Sequence, residues 1–459
     1  MRILHIGKFF PPHPGGIERF VADLTDAQVA QGMEVHVLAH AEPGTWRSRH
    51  FCHGAVEVTL AACHGQMLYA PVSPGFGWRL SRLIRQFKPD VLHLHLPNTS
   101  AFWALMLPSA RRLPWVVHWH ADIPLDSRRT GLRLAYHLYR PWEQAVLRRA
   151  RSVIATSTPY LNSSLALAPW REKTRVIPLG IPPCDFDAVS AGLQDNETDW
   201  LANSPVETPS PPTASEKKVD VSEQRPSNAP TQVEAPSPHP ALSRIASDGG
   251  EGKTHVSFAW PATGLKVLAV GRLSYFKGFD VLLRAMVQLP QASLLLIGDG
   301  ECGVALRRLA RNLDIAHRVN FAGRVDMNRR GAQALADAYG SADVFCLPST
   351  ERAESFGLVL LEAMRAGTPA IASDIPGSGV GYVVRNGETG LLVPPGDVAA
   401  LVDALARMSA DAMLRQRLGE TGKQRWQREF TADRAAQRVR ALYAEILQTT
   451  RPDTTTPEM

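Results

Sequence analysis

The sequence predicts an α/β protein of two doubly wound, Rossmann-like domains facing a central cleft. Three observations carry that prediction. Short apolar runs alternate with helical stretches over residues 1–182 and again from Lys266 onward, as in parallel sheets covered on both faces. A Pro-, Ser- and Glu-rich segment lies between the two series. In each series the turn after the first apolar run holds glycines beside charged side chains, and open α/β sheets bind ligands at such strand ends.

In the first domain, 1–182, the strand candidates are 3–6, 35–39, 91–94, 115–118, 153–156 and 175–178. Over 190–260 the composition breaks, as in Thr208-Pro-Ser-Pro-Pro-Thr213, and few large apolar residues remain. Such a segment cannot bury enough surface to offset its chain entropy and is expected to be a disordered insertion. The second domain, 261–430, holds strand candidates 267–270, 293–297, 319–322, 344–347, 370–372 and 390–393, with helices near 279–288, 305–313, 332–339, 357–366 and 398–408. An amphipathic stretch over 431–447 reads as a C-terminal helix, followed by a loose tail, 448–459.

Hydrophobic residues make up 44% of the 459 and charged residues 20%, which suits globular domains with real cores. No apolar run approaches the roughly 18 residues of a membrane span. The start is too short and too charged for a secretory signal, so the expected location is cytoplasmic, with peripheral contact to the inner face of the membrane. Five cysteines stand far apart without a CxxC pair and read as reduced and structural. Residues 1–182 carry 21 Lys and Arg against 11 Asp and Glu, whereas 190–255 carry 5 against 10. The basic first half suits an anionic partner such as phosphates or an acidic membrane surface. No nucleic-acid motif accompanies the charge, so nucleic acid is not expected.

The richest chemistry lies in Glu354-Ser-Phe-Gly-Leu-Val-Leu-Leu-Glu362. It follows a buried strand and opens a helix whose free N–H groups, from Phe356 through Gly357 to Leu358, suit a phosphate or sugar oxygen. Glu362 sits among apolar residues, where a carboxylate needs hydrogen-bond donors; a ribose diol supplies two. Arg272 and Lys277 occupy the turn after the first strand of the second domain, next to Gly271 and Gly278. Two cations there form a diphosphate clamp. The equivalent turn of the first domain ends in Gly15 and Gly16, bare backbone that lets a phosphate or sugar approach. His93, His95, His118 and His120 cluster at strand ends. Without a carboxylate partner they argue for a sugar contact by His120 rather than a metal site. Gly298-Asp-Gly-Glu-Cys-Gly303 matches GxGxxG, but no acidic residue ends the next strand, so a dinucleotide cofactor is not expected.

Glu354 to Glu362 is similar to the E-x7-E pattern of the GT4 glycosyltransferases, which have the GT-B fold. Gly271-Arg-Leu, Lys277-Gly, Glu362-Ala-Met-Arg-Ala-Gly-Thr-Pro, Gly15-Gly-Ile-Glu and Arg175-Val-Ile-Pro-Leu-Gly180 extend the resemblance to everything but the insertion and the tail. It implies a retaining transferase that uses a nucleotide-diphosphate sugar as substrate and needs neither cofactor nor bound metal. Arg272 and Lys277 would hold the diphosphate and Glu362 the ribose. Glu354 and the 356–358 backbone would meet donor sugar and phosphate, and Gly16 the phosphates. Gly323 and Val325 would flank the base, and His120 the transferred sugar. Asp374-Ile-Pro-Gly-Ser-Gly-Val-Gly381 and His120-Ala-Asp122 look like enzymes of bacterial surface polysaccharide assembly, where GDP-mannose is a common donor and polyprenyl-diphosphate-linked saccharides are acceptors. A sugar-phosphate or glucan synthase, and a nucleotide-sugar-binding protein without turnover, are the alternatives.

Overall fold

A computed structural model describes residues 1–67, 70–123, 130–183, 258–261, 264–326 and 329–449. All but residues 258–260 of the expected insertion, Cys184, and the tail beyond Thr449 lie outside the described residues.

The first sheet has eight strands: β1 (Arg2–Ile6), β2 (Glu34–His40), β3 (Arg49–His53), β4 (Val56–Ala61), β7 (Val91–Leu96), β8 (Trp115–Trp119), β9 (Ser152–Ala155) and β10 (Thr174–Val176). A separate two-stranded ribbon is formed by β5 (Gly65–Met67) and β6 (Ala70–Val72). The order is β10-β9-β8-β7-β1-β2-β4-β3, parallel except for the antiparallel β3 edge. The second sheet runs β13-β12-β11-β14-β15-β16 and is parallel throughout. Its strands are β11 (Lys266–Val270), β12 (Ser293–Ile297), β13 (Val319–Gly323), β14 (Val344–Leu347), β15 (Ala370–Ser373) and β16 (Gly390–Val393). The twelve predicted strands are all present, with shifted ends; β3 to β6 were not anticipated. β3 is mostly exposed, so it lacks the apolar run that marks a buried strand.

Strand order reverses beside β1 and beside β11, so both ligand crevices open where the theory of doubly wound sheets places them. Helix α1 (Gly16–Ala30) covers one face of the first sheet through Phe20, Val21 and Leu24. Helix α2 (Phe76–Phe87) covers the other through Phe76, Leu80 and Ile84. In the second domain α3 (Leu358–Ala366) follows β14 and is buried from Leu360 to Met364. An unanticipated helix, α4 (Ala412–Glu429), is strongly polar and is capped by Asp411, whose side chain accepts from the Leu414 N–H at 2.8 Å.

The last helix, α5 (Ala432–Gln448), returns to the first domain and packs along α1 through Ala436, Val439 and Tyr443. Backbone bonds from Ile181 N to Phe430 O and from Ala432 N to Ile181 O, both 3.0 Å, tie the crossing. One apolar cluster therefore spans Phe20 and Leu24, Leu360 and Leu361, and Val439 and Tyr443.

Candidate active site

The turn after β11 and the loop after β14 meet at the switch point of the second sheet. Gly278 has φ 64°, and a Cβ there would lie 2.0 Å from the Pro348 carbonyl oxygen. Only glycine allows that approach. It brings Lys277 Nζ to Glu354 Oε2 at 2.6 Å, and Ser349 Oγ donates to the same oxygen at 2.9 Å. Both charged side chains are nearly buried, so the pair is held in a low-dielectric pocket and each partner depends on the other. Arg272 stands apart from them. Its side chain is 65% exposed and reaches Glu301 at 3.2 Å, which leaves the guanidinium at the crevice rim.

Helix α3 begins beyond its N-cap residue Gly357, which sits at φ 80°. Phe356 is buried, so only the backbone of 356–358 can serve a ligand. Glu362 is 6% exposed. Its carboxylate accepts from Arg19 Nη1 and from the Tyr339 hydroxyl, each at 2.8 Å. Arg19 lies on α1, so this contact joins the two domains across the cleft. A Cβ on Gly16 would lie 3.3 Å from Leu358 Cδ1, so the two predicted phosphate-facing helix ends oppose each other. Gly15 precedes α1 in extended backbone, with the Glu18 carboxylate filling the space a Cβ would take.

Gly323 ends β13 at φ 74° with open space around it, and its carbonyl accepts from Gly298 N at 2.8 Å. Val325 follows it, half-buried. A Cβ on Gly300 would come within 2.6 Å of the Leu273 carbonyl oxygen. Close packing against the Arg272 turn therefore gives the glycines of the GxGxxG spelling a structural reason.

His120 follows β8 at the crevice end of the first sheet and is 2% exposed. It lies in a ladder of five buried histidines, of which His5 was not anticipated: His5 pairs in register with His93, and His95 with His118. Burial pushes His5 down to about 4 and His120 to about 3, with His93, His95 and His118 well below the usual imidazole range. Two trios of these rings bring ligand atoms within 4.8 Å of one another. Each trio contains a face-to-face pair. His93 and His95 lie 4.6 Å apart with planes 8° from parallel, and His118 and His120 lie 4.4 Å apart at 6°. Within the trios His5 is hydrogen-bonded to His95, and His95 to His120, ring to ring and each at 2.9 Å.

The structure thus brings Lys277 to Glu354, and Gly16 to Leu358, and keeps Arg272 at the rim. It adds Arg19, Tyr339 and Ser349, and a second domain bridge. Arg352 Nη1 donates to Asp122 Oδ2 at 2.7 Å and its guanidinium lies 4.2 Å over the Tyr160 ring. Asp122 was visible in His120-Ala-Asp122. Arg352 carried no signal, because its partner is 230 residues away.

Fold and sequence motifs place the chain among glycosyl transferases of GT-B architecture. A family model described as "Glycosyl transferase 4-like domain" matches residues 15–180, and one described as "Glycosyl transferases group 1" matches 251–425. The phosphatidyl-myo-inositol mannosyltransferase of Mycobacterium leprae is 28% identical, with 92% of this chain and 91% of that protein covered. The D-rhamnosyltransferase WbpZ of Pseudomonas aeruginosa is also 28% identical, over 94% of this chain and 93% of that protein. Among solved structures, sucrose-phosphate synthase from Thermosynechococcus elongatus superposes with TM-score 0.66 at 24% identity, covering 98% of this chain and all of that one. Anabaena HepE in complex with UDP-glucose gives 0.62 at 19% identity, covering 97% and 100%. The chain belongs to the GT4-type glycosyltransferases and has the GT-B fold. It is an enzyme that transfers hexosyl groups in glycan biosynthesis.

Proposed function

We propose that the enzyme moves a hexosyl group, with mannosyl the first candidate and GDP-mannose the first donor to test, onto a saccharide carried on polyprenyl diphosphate at an anionic membrane surface. Transfer retains anomeric configuration, as the family resemblance implies. The observation that carries this reading is the Lys277–Glu354–Ser349 cluster at the second switch point, beside a helix start whose Leu358 meets Gly16 across the cleft. Lys277 and Arg272 neutralise the departing diphosphate, and the 356–358 backbone meets the donor at the start of α3. Two fixed cations supply the charge that a metal would otherwise provide, so turnover is expected to persist in excess chelator. The leaving phosphate takes the acceptor proton on the face where the new bond forms.

The membrane part rests on the first domain. The apolar stripe of α2 packs into the core, through Leu80 and Ile84. It leaves Trp78 outside, its ring under Arg79 and Arg82 at 5.7 and 5.5 Å. Next to α2 stands Trp103, and beyond it Leu134, Leu138 and Trp142 form an exposed i, i+4, i+8 stripe on the helix Thr130–Arg149. Aromatic and leucine side chains flanked by arginines suit an interfacial surface, and each arginine near anionic lipid adds about 1 kcal/mol. No helix among the described residues is long and apolar enough to cross a membrane. The location we propose is the cytoplasmic face of the membrane.

Radiolabelled transfer with a panel of nucleotide sugars and lipid-linked acceptors tests the substrate assignment; turnover confined to free sugar phosphates or glucans would replace it. Co-sedimentation with anionic and neutral vesicles tests the surface. Binding to anionic vesicles alone, weakened by salt and by Arg79→Glu, Arg82→Glu and Arg85→Glu together, is expected. Equal binding to both lipids, or to neither, would remove it.

A further inference from the structure

Three members of the histidine ladder, His5, His95 and His120, are hydrogen-bonded in series. Gln28 on α1 donates from Nε2 to the Tyr443 hydroxyl at 3.3 Å and turns its Oε1 to His5 Nε2 at 2.8 Å. His5 Nδ1 meets His95 Nε2 at 2.9 Å, and His95 Nδ1 meets His120 Nε2 at 2.9 Å. A neutral imidazole has one N–H and one lone pair, so the amide of Gln28 sets the direction of every later bond. Its carbonyl oxygen can only accept, hence His5 carries its proton on Nε2. His5 Nδ1 is then a lone pair and accepts from His95 Nε2–H. His95 Nδ1 accepts in turn from His120 Nε2–H. The chain ends on His120 Nδ1, a lone pair with no partner among the described residues although the ring is buried.

We infer that Gln28, His5 and His95 are positioning residues that lock His120 in the Nε2–H tautomer, so that its Nδ1 accepts a hydrogen bond from a sugar hydroxyl in the cleft. The inference rests on the reading that His120 touches the transferred sugar. Burial keeps all three imidazoles neutral at physiological pH, as a fixed tautomer requires. Phe20 places its edge on His120, with 5.7 Å between ring centroids, and shields the last link from solvent. An unpaired buried acceptor is costly unless a ligand completes it. The anchor at the far end is Tyr443 on α5, so the helix that crosses between the domains also orients the chain.

Histidine-selective ¹⁵N labelling of the full chain tests this directly, because pyrrole-type and pyridine-type ring nitrogens resonate far apart. His120→Ala identifies the resonances by their loss. At pH 7 the expected pattern is a pyrrole-type Nε2 and a pyridine-type Nδ1; an imidazolium or the opposite tautomer overturns the inference. Gln28→Leu should leave His120 a mixture of tautomers and lower kcat about tenfold, the worth of one hydrogen bond, with unchanged calorimetric affinity for GDP and UDP. An unaltered His120 pattern in Gln28→Leu also overturns it. Gln28→Glu keeps an acceptor toward His5 and should restore both the pattern and kcat. If Gln28→Leu does not fold, the wild-type and Gln28→Glu spectra still decide the matter. Should His120→Ala turn over like wild type, the sugar contact falls, and the spectra alone then judge the relay.

Discussion

The turns that follow β1 and β11 hold equivalent places, each at the switch point of its sheet, and they carry opposite electrostatics. After β11 the chain sets out formal charge: Arg272 at the rim and Lys277 against Glu354. Around β1 the ionisable groups are driven toward neutrality. Burial lowers Lys8 and raises Glu18, and it holds the histidine ladder uncharged. A departing diphosphate develops charge and is stabilised by fixed cations. A sugar hydroxyl gains more from a neutral, oriented acceptor, which needs no counter-ion in a dry pocket. On the function we propose, the same fold element serves two different halves of one transfer reaction.

The comparison breaks most visibly at the clamp. Arg272→Ala with Lys277→Ala should lower kcat/KM by about 10²-fold or more, equivalent to about 3–5 kcal/mol at the transition state. Lys277→Ala alone should cost more than Arg272→Ala, because it strands Glu354 without its cation in a nearly buried site. Near-normal turnover of the double variant would show that charge after β11 is not what drives departure.

Glu362 sharpens the comparison, since it is a second-domain anion held by a first-domain cation. Glu362→Ala should weaken binding of GDP or UDP about tenfold, through loss of hydrogen bonds to an ionised group, as read by calorimetry. Unchanged affinity would confine Glu362 to its contacts with Arg19 and Tyr339.

Much of this site was readable before any coordinates, and the reason is local. Glycines, strand ends and the charged residues next to them lie close together in sequence, as with Gly271, Arg272, Lys277 and Gly278. What stayed hidden depends on distant partners. Arg19 meets Glu362 across 343 residues and Tyr443 reaches Gln28 across 415, and no periodicity reports such pairs. His5 escaped because a histidine alternating with Ile3, Leu4 and Ile6 looks like any interrupted buried strand. Helix α4 escaped because its exposed face is so polar that its few buried residues, among them Leu414, Leu418 and Trp426, leave only a weak stripe.

A further set of effects, outside catalysis, concerns stability against acid. His5 and His40 are held at about 4 and His120 at about 3, below the ordinary 6.5. The unfolded chain thus binds more protons than the folded one below pH 6.5. Stability from these groups is complete above 6.5 and is lost as pH falls toward 4. A histidine held at about 4 contributes about 2 kcal/mol of that loss between pH 6.5 and 5. Asp23 and Glu143, both raised to about 7 by burial, act the other way, losing stability as pH rises from the usual carboxylate range through 7. They are outnumbered by the buried histidines, so the urea midpoint should drop from pH 7 to pH 5. His118 isolates the effect, because it is fully buried and neither ring nitrogen has a hydrogen-bond partner among the described residues. Replacing it with Leu removes one proton-binding group of the unfolded chain and relieves an unpaired polar burial, worth about 1–3 kcal/mol. His118→Leu should therefore match or exceed wild type in urea at pH 7 and lose less on going to pH 5. A variant that keeps the full wild-type drop would mean that His118 already binds its proton in the folded protein. The neutral half of the comparison would then fail at the ladder itself.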